Sequence, residues 1–219
     1  MFFSIEINIH LIAIPKYGTR GEKNQKDKWG DPIKHPYHIG DWTKYNRDGK
    51  MKQTTCTTKG MPWTQNWIDS NKSLFEDVSN VFKFYFEELS NIYQQVLVKH
   101  QVPYRPFRKI TFIQSLIILD PFGVCVLNND FQCKPHVDKD DWPSGYGCVL
   151  PFGNFQDGTG NLSFPFMKHE FLMRPGCLLF FKTKLIEHLV RDYIGIRRSL
   201  VLFTDNNSFL SPINTKVSL

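Results

Sequence analysis

From Ile110 to Thr204 the chain is a series of short apolar or alternating runs separated by turn residues, and this pattern limits the possible folds more than any other feature. The runs are Ile110 to Leu119, Gly123 to Asn128, Tyr146 to Pro151, Asn161 to Phe164, Glu170 to Met173, Cys177 to Lys182, Glu187 to Val190 and Arg197 to Thr204. Short runs with period-two alternation read as β-strands. Pro121-Phe122-Gly123, Gly153-Asn154, Asp157-Gly158-Thr159-Gly160 and Pro175-Gly176 supply the turns between them. Many short strands with this punctuation predict two facing sheets, a jelly-roll or double-stranded β-helix core.

Before the strands the period changes. Leu74, Phe75, Val78, Val81, Phe82, Tyr85, Phe86, Leu89, Ile92, Tyr93, Val96 and Leu97 recur at three and four residues, which predicts one amphipathic helix from about Asn71 to His100. Ser70 or Asn71 is placed to cap its start, and Pro103 ends it. Its aromatic stripe is read as packing on a sheet. The expected class is therefore α+β, a jelly-roll core with flanking N-terminal helices.

The length of 219 residues suits one substantial domain. We read residues 63–219 as a single helix-plus-jelly-roll domain and residues 1–62 as an N-terminal extension. Between Lys16 and Lys59 there are eleven Lys/Arg against five Asp/Glu, whereas from Gly60 onward the count is sixteen against fifteen. The net charge of +6 thus sits in a basic arm from about residue 16 to 59 that shows no apolar periodicity. Such an arm can neutralise phosphates, or it can be a solvated surface segment. Trp29, Tyr37, Trp42 and Tyr45 within it can stack on bases or tack the arm to the core.

Cys56, Cys125, Cys133, Cys148 and Cys177 show no CxxC pair and no regular spacing, which favours a reducing, intracellular setting over a zinc site or a disulfide framework. Cys125, Cys148 and Cys177 lie among apolar residues and are expected to pack in the core. The opening residues carry Glu6 and His10 and no cleavage pattern, so a secretory signal is not expected. With no apolar run of membrane-spanning length, a soluble protein is expected.

Within the strand region, His136 and Asp138 are two residues apart, so in an extended segment both side chains leave from one face. His188 can join them if its strand lies alongside. Two imidazoles and one carboxylate suit non-haem Fe(II), whose other positions stay open for oxygen and a co-substrate. In the run that follows, Arg197, Ser199, Val201, Phe203 and Asp205 share one face of a strand, and Arg198, Leu200 and Leu202 the other. An inward guanidinium is costly without an anion, and a dicarboxylate held bidentately by Arg197 with help from Ser199 would satisfy it. An ion pair with an internal acid is the other reading, and a different register would turn Arg198 inward instead.

Taken together, His136-Val137-Asp138-Lys139-Asp140-Asp141, Val149-Leu150-Pro151-Phe152-Gly153, Gly160-Asn161-Leu162, Pro175-Gly176-Cys177-Leu178-Leu179-Phe180-Phe181, Glu187-His188 and Gly195-Ile196-Arg197-Arg198-Ser199-Leu200-Val201-Leu202-Phe203-Thr204-Asp205 resemble the 2-oxoglutarate- and Fe(II)-dependent dioxygenases. Within these, the stretch is similar to the TET/JBP-like nucleic-acid oxygenases, in particular the transposon-associated members of fungi. The likeness covers roughly residues 122 to 206, with Val126-Leu127-Asn128 before the first ligand. Val137 stands where the family often has Arg, and Gly160-Asn161-Leu162-Ser163 departs from its Gly-Gly-Glu-Leu pattern.

The resemblance implies that His136, Asp138 and His188 bind Fe(II), and that Arg197 and Ser199 bind 2-oxoglutarate, with O2 as the second co-substrate. It implies base-contacting positions at Asp141 and Asp205, with Asn128 as a further polar lining residue. The implied activity is oxidation of the methyl group of a modified DNA base, 5-methylcytosine foremost. The implied partner is double-stranded DNA with the methylated base flipped out, met by a monomer in the nucleus. Action on N6-methyladenine or RNA, hydroxylation of protein, and a non-catalytic nucleic-acid-binding jelly roll are the alternatives.

Overall fold

The computed structural model describes residues 2–4, 36–42, 52–53, 61–99, 121–130 and 132–210. Trp29, Tyr45, Cys56 and the run from Ile110 to Leu119 lie outside the described residues. Ten strands and four helices follow in chain order among them: β1 (Phe2–Ser4), β2 (Tyr37–Trp42), β3 (Lys52–Gln53), α1 (Met61–Ser70), α2 (Lys72–Tyr85), α3 (Glu87–Lys99), β4 (Val124–Asn129), β5 (Gly147–Phe155), β6 (Leu162–Phe164), β7 (His169–Phe171), β8 (Cys177–Phe181), β9 (Leu189–Val190), β10 (Gly195–Phe203) and α4 (Asn206–Leu210). A 7-stranded sheet has the order β1-β8-β5-β10-β4-β2-β3, and a 3-stranded sheet has the order β7-β6-β9. All pairings are antiparallel. This is an α+β fold with a jelly-roll core.

Alternation along the strands sends two sets of side chains to the two faces of the large sheet. Cys125, Leu127, Cys148, Leu150, Leu178, Phe180, Leu200 and Leu202 form one cluster with Trp67, Ile68, Phe75, Val78 and Phe82 of α1 and α2. Helices therefore cover this face. Val149, Leu179, Phe181 and Val201 point the other way and meet Leu162, Phe164 and Met173. That second cluster fills the space between the sheets. Each large side chain fully buried in these layers contributes on the order of 1.5–3 kcal/mol. Cys125, Cys148 and Cys177 are all buried, as expected.

Two expectations are corrected. The single helix predicted from Asn71 to His100 is two helices, broken at Phe86 (φ −138°, ψ 50°), and a further helix, α1, precedes Asn71. The break has a packing consequence: Phe82 and Tyr93 stack with ring centroids 5.6 Å apart, whereas eleven residues of straight helix would separate them by about 16 Å. Asn71 occupies the cap position of α2 without capping it, because its side-chain Nδ2 donates back to the Trp67 carbonyl at 2.7 Å. The second correction concerns the basic arm, whose Tyr37–Trp42 segment is a strand rather than a surface loop. β2 takes up the edge of β4 with the register Tyr37↔Leu127 to Gly40↔Val124. Ile39 is fully buried against the helix-side cluster, which secures an edge that would otherwise expose unpaired backbone. Among the described residues no helix is long and apolar enough to cross a membrane.

Candidate metal centre and anion pocket

His136 and His188 form an isolated antiparallel bridge. Each donates its backbone N–H to the other's carbonyl, at 3.1 and 2.9 Å. One residue pair thus fixes two imidazoles side by side, with ring centroids 4.5 Å apart. The Asp138 N–H donates to the Thr183 carbonyl at 3.0 Å, which ties the intervening carboxylate to the loop leading into His188. The ligand atoms of His136, Asp138 and His188 all lie within 4.8 Å of one another.

The hydrogen bonds of the ring nitrogens decide which atoms are available to an ion. His136 Nδ1 lies 2.8 Å from the Lys134 carbonyl and His188 Nδ1 2.9 Å from the Ile186 carbonyl. A carbonyl can only accept, so each Nδ1 carries the proton and each Nε2 presents a lone pair. Those Nε2 atoms stand 3.5 and 3.8 Å from the Asp138 carboxylate oxygens, too long for hydrogen bonds. Burial lowers the His188 pKa, which keeps the ring neutral and suited to ligation. The Phe181 ring braces His188 edge-on at 4.9 Å. The donor set, two imidazoles and one carboxylate around one point, fits Fe(II).

β10 carries the second half of the site. Its register against β4 and β5 turns Arg197 and Ser199 inward with Val201, and Arg198 instead donates to Asn129 Oδ1 at 2.8 Å. Arg197 is 2% exposed. Its Nε and Nη2 are buried without a hydrogen-bond partner, and no carboxylate pairs with it among the described residues. The internal acid offered as an alternative partner is not found among the described residues. Burial pushes the guanidinium down to about 10 from an ordinary 12.5. Its Cζ lies over the Phe155 ring, 5.7 Å from the centroid. Ser199 Oγ accepts from Asn128 Nδ2 at 3.3 Å, so Asn128 stands beside the arginine's serine.

Gly160 is the residue that makes room for this arginine. It adopts φ +67°, and a Cβ there would lie 2.8 Å from Arg197 Cδ and 3.0 Å from Nε. The sequence marked Gly160 as part of a turn and of the family likeness, not as a neighbour of Arg197. Thr183 gave no sequence signal: its hydroxyl donates a short hydrogen bond to Asp141 Oδ2.

Asp141 and Asp205 form an isolated bridge and are both buried. Burial, with the nearby negative charge of Asp138, pushes the Asp141 carboxyl up to about 8 against the pull of Thr183. Asp205 Oδ1 accepts the Ser208 N–H at 2.8 Å, so this side chain also caps α4. The structure thus brings together the histidine–aspartate group, and it brings Arg197, Ser199 and Asn128 together on neighbouring strands.

The fold and these groups define a jelly-roll protein with a candidate iron centre and a buried arginine suited to an anion. Among solved structures, the chain is similar to NgTET1 in complex with 5mC DNA, with a TM-score of 0.61 and 17% identity, covering 81% of this chain and 63% of that one. At that identity the likeness speaks for the fold, and the chain spans 63% of the length of its neighbour. Shorter matches are the viral collagen prolyl hydroxylase vCPH from Paramecium Bursaria Chlorella virus-1 in its 2OG complex (TM-score 0.32, 16% identity, 37% of this chain and 57% of that one) and a 2OG-Fe(II) oxygenase family oxidoreductase from Burkholderia pseudomallei (0.30, 19%, 40% and 46%). No protein-family model matches the chain, and no curated protein matches it.

Proposed function

We propose that the chain is an Fe(II)- and 2-oxoglutarate-dependent oxygenase that oxidises the methyl group of a nucleic-acid base, 5-methylcytosine in DNA foremost. The observation that carries this reading is the pairing of a convergent His136–Asp138–His188 donor set with a buried Arg197 whose Nε and Nη2 have no hydrogen-bond partner among the described residues. A metal site alone fits many proteins. A metal site with a buried cation lacking any counter-charge asks for an anionic ligand as well.

Bound iron would supply oxygen activation coupled to decarboxylation of the 2-oxo acid, the chemistry that attacks an unactivated C–H bond. The remaining tasks fall to the chain. His136, Asp138 and His188 hold the ion, with Nδ1 hydrogen bonds fixing the ring planes. Arg197 takes the carboxylate of 2-oxoglutarate remote from the metal, and Ser199, oriented by Asn128, adds a hydrogen bond. Phe155 and Gly160 keep water from the guanidinium. Asp141 and Asp205 face the base, with Asp141 steadied at one oxygen by Thr183.

The nucleic-acid substrate is supported by the solved neighbour's complex with 5mC DNA and by the excess of Lys/Arg before residue 60. A monomer acting in the nucleus on duplex DNA with the target base flipped is the corresponding picture. The test is incubation with Fe(II), 2-oxoglutarate, oxygen and methylated oligonucleotides, followed by mass spectrometry of the nucleosides. Oxidised 5-methylcytosine formed with matching succinate is expected. Efficient turnover on another substrate with no oxidised base would sink the DNA reading and keep the iron chemistry.

A further inference from the structure

β6 and β9 pair with the register Leu162↔Val190 and Ser163↔Leu189. Continued by one residue, this puts Phe164 level with His188, and His188 bridges onward to His136. Adjacent strands lie about 4.8 Å apart, so the turn that follows Phe164 leaves the small sheet at its metal end. Ring contacts say the same: Phe164 packs on Phe181 at 5.1 Å, and Phe181 packs on His188 at 4.9 Å.

That turn, residues 165–168, is braced and apolar at its tip. Met167 N–H donates to the Phe164 carbonyl and Lys168 N–H to the Pro165 carbonyl, both at 3.1 Å. Lys168 adopts φ 50°, which closes the hairpin. The resulting tip holds Phe166 at 92% exposure and Met167 at 55%. Leu185, in the loop leading into His188, is 58% exposed. A single exposed apolar residue needs no explanation. A phenyl ring raised on a hydrogen-bonded turn, on the rim of a site proposed to receive an extruded base, has a specific use.

The charges around the same end favour one occupant. The loops that carry His136 and His188 and the hairpin tip hold Lys134, Lys139, Lys168 and Lys184. Against them, outside the metal ligand and the buried Asp141, stand the exposed acids Asp140 and Glu187. Lysines flanking an exposed aromatic match a polyanion whose bases can stack.

We propose that the turn Pro165–Lys168 is a wedge: Phe166 stacks into the gap beside the extruded base, and Lys168 holds a flanking phosphate. This rests on the nucleic-acid reading above. Inserted apolar side chains stabilise unstacked steps in this way, and a rigid turn delivers the ring without a further ordering cost.

The experiment uses the full chain and a 5-methylcytosine duplex carrying 2-aminopurine beside the target, whose fluorescence rises when the neighbouring stack opens. The wild type should bind and brighten the probe. Phe166→Ala should bind roughly tenfold more weakly and lose most of the brightening, while Phe166→Trp should retain both. Lys168→Ala should weaken binding and lower the slope of log affinity against log salt by about one. Circular dichroism confirms that each variant folds. If Phe166→Ala binds and brightens the probe like a wild type that oxidises the base, the wedge is wrong and the function stands. If the wild type neither binds nor oxidises the duplex, both fall.

Discussion

Replacing Arg197 by methionine separates a guanidinium that waits for a ligand from one that holds the fold together. In the ligand-free protein the charge is buried and unpaired at Nε and Nη2. Its lowering from 12.5 to about 10 corresponds to about 3 kcal/mol against the charged form. Because the folded value is the depressed one, that penalty is fully present at pH 7 and is relieved only as pH climbs through about 10. Methionine has similar length, no charge, and a thioether that packs well on the Phe155 ring. Arg197→Met should therefore leave the apo protein at least as stable as wild type, and at most about 3 kcal/mol more so. For a chain of this size that ceiling is a rise in Tm of roughly 6–12 °C. The ligand response should run the other way. At 2-oxoglutarate near 100 times its Kd the wild type gains about 2.7 kcal/mol, and the variant gains nothing. Anaerobic thermal denaturation of the manganese-loaded proteins, with and without 2-oxoglutarate, reads both quantities. Apo Arg197→Met destabilised by several kcal/mol, or a variant that keeps the ligand-induced shift, would refute the reasoning.

Three further outcomes follow from the geometry. His136→Ala removes one of three donors lying within 4.8 Å of one another, so the weak visible charge-transfer band expected on anaerobic addition of Fe(II) and 2-oxoglutarate should disappear, as read by absorbance. Gly160→Ala places a methyl group 2.8 Å from Arg197 Cδ at φ +67°; it should cost about 1–2 kcal/mol of stability and raise the Kd for 2-oxoglutarate at least tenfold, checked by calorimetry. Tyr93, whose hydroxyl donates to the Tyr146 carbonyl and accepts its N–H, has its phenol pushed well above the usual range by burial. Its folded value is raised, so the stability tied to the neutral phenol is complete below about pH 10 and drains away as pH rises further. Tyr93→Phe should lose about 1–3 kcal/mol at pH 7, since it strands the Tyr146 backbone groups, and should show a shallower alkaline decline in denaturant titrations.

Much of the candidate site was legible because it depends on parity. A period of two fixes which residues of a strand share a face, so Arg197, Ser199 and Val201 could be grouped from their spacing, and the register against β4 and β5 agrees. The same rule grouped His136 with Asp138. The helix break was hidden for the converse reason: the apolar stripe runs through Phe86 without a change of period, and only the backbone at φ −138° and ψ 50° shows the chain folding back. β2 was hidden because six residues in a polar arm carry little signal until the edge of β4 supplies their hydrogen bonds.

The sequence by itself determined much of what is local: most of the short strands and turns, the amphipathic segment, and the residue types able to ligate iron. The predicted turn Gly153-Asn154 instead lies inside β5, whose pairing with β10 carries the strand through it. Tertiary structure decided what depends on neighbours distant in the chain. It set His188 against His136 through a reciprocal backbone pair, cut the space for Arg197 from Gly160, and gave Asp205 a helix to cap. Above all it left Arg197 without a counter-charge among the described residues. A missing partner is a property of every residue that surrounds a group, and only the packed chain reveals it.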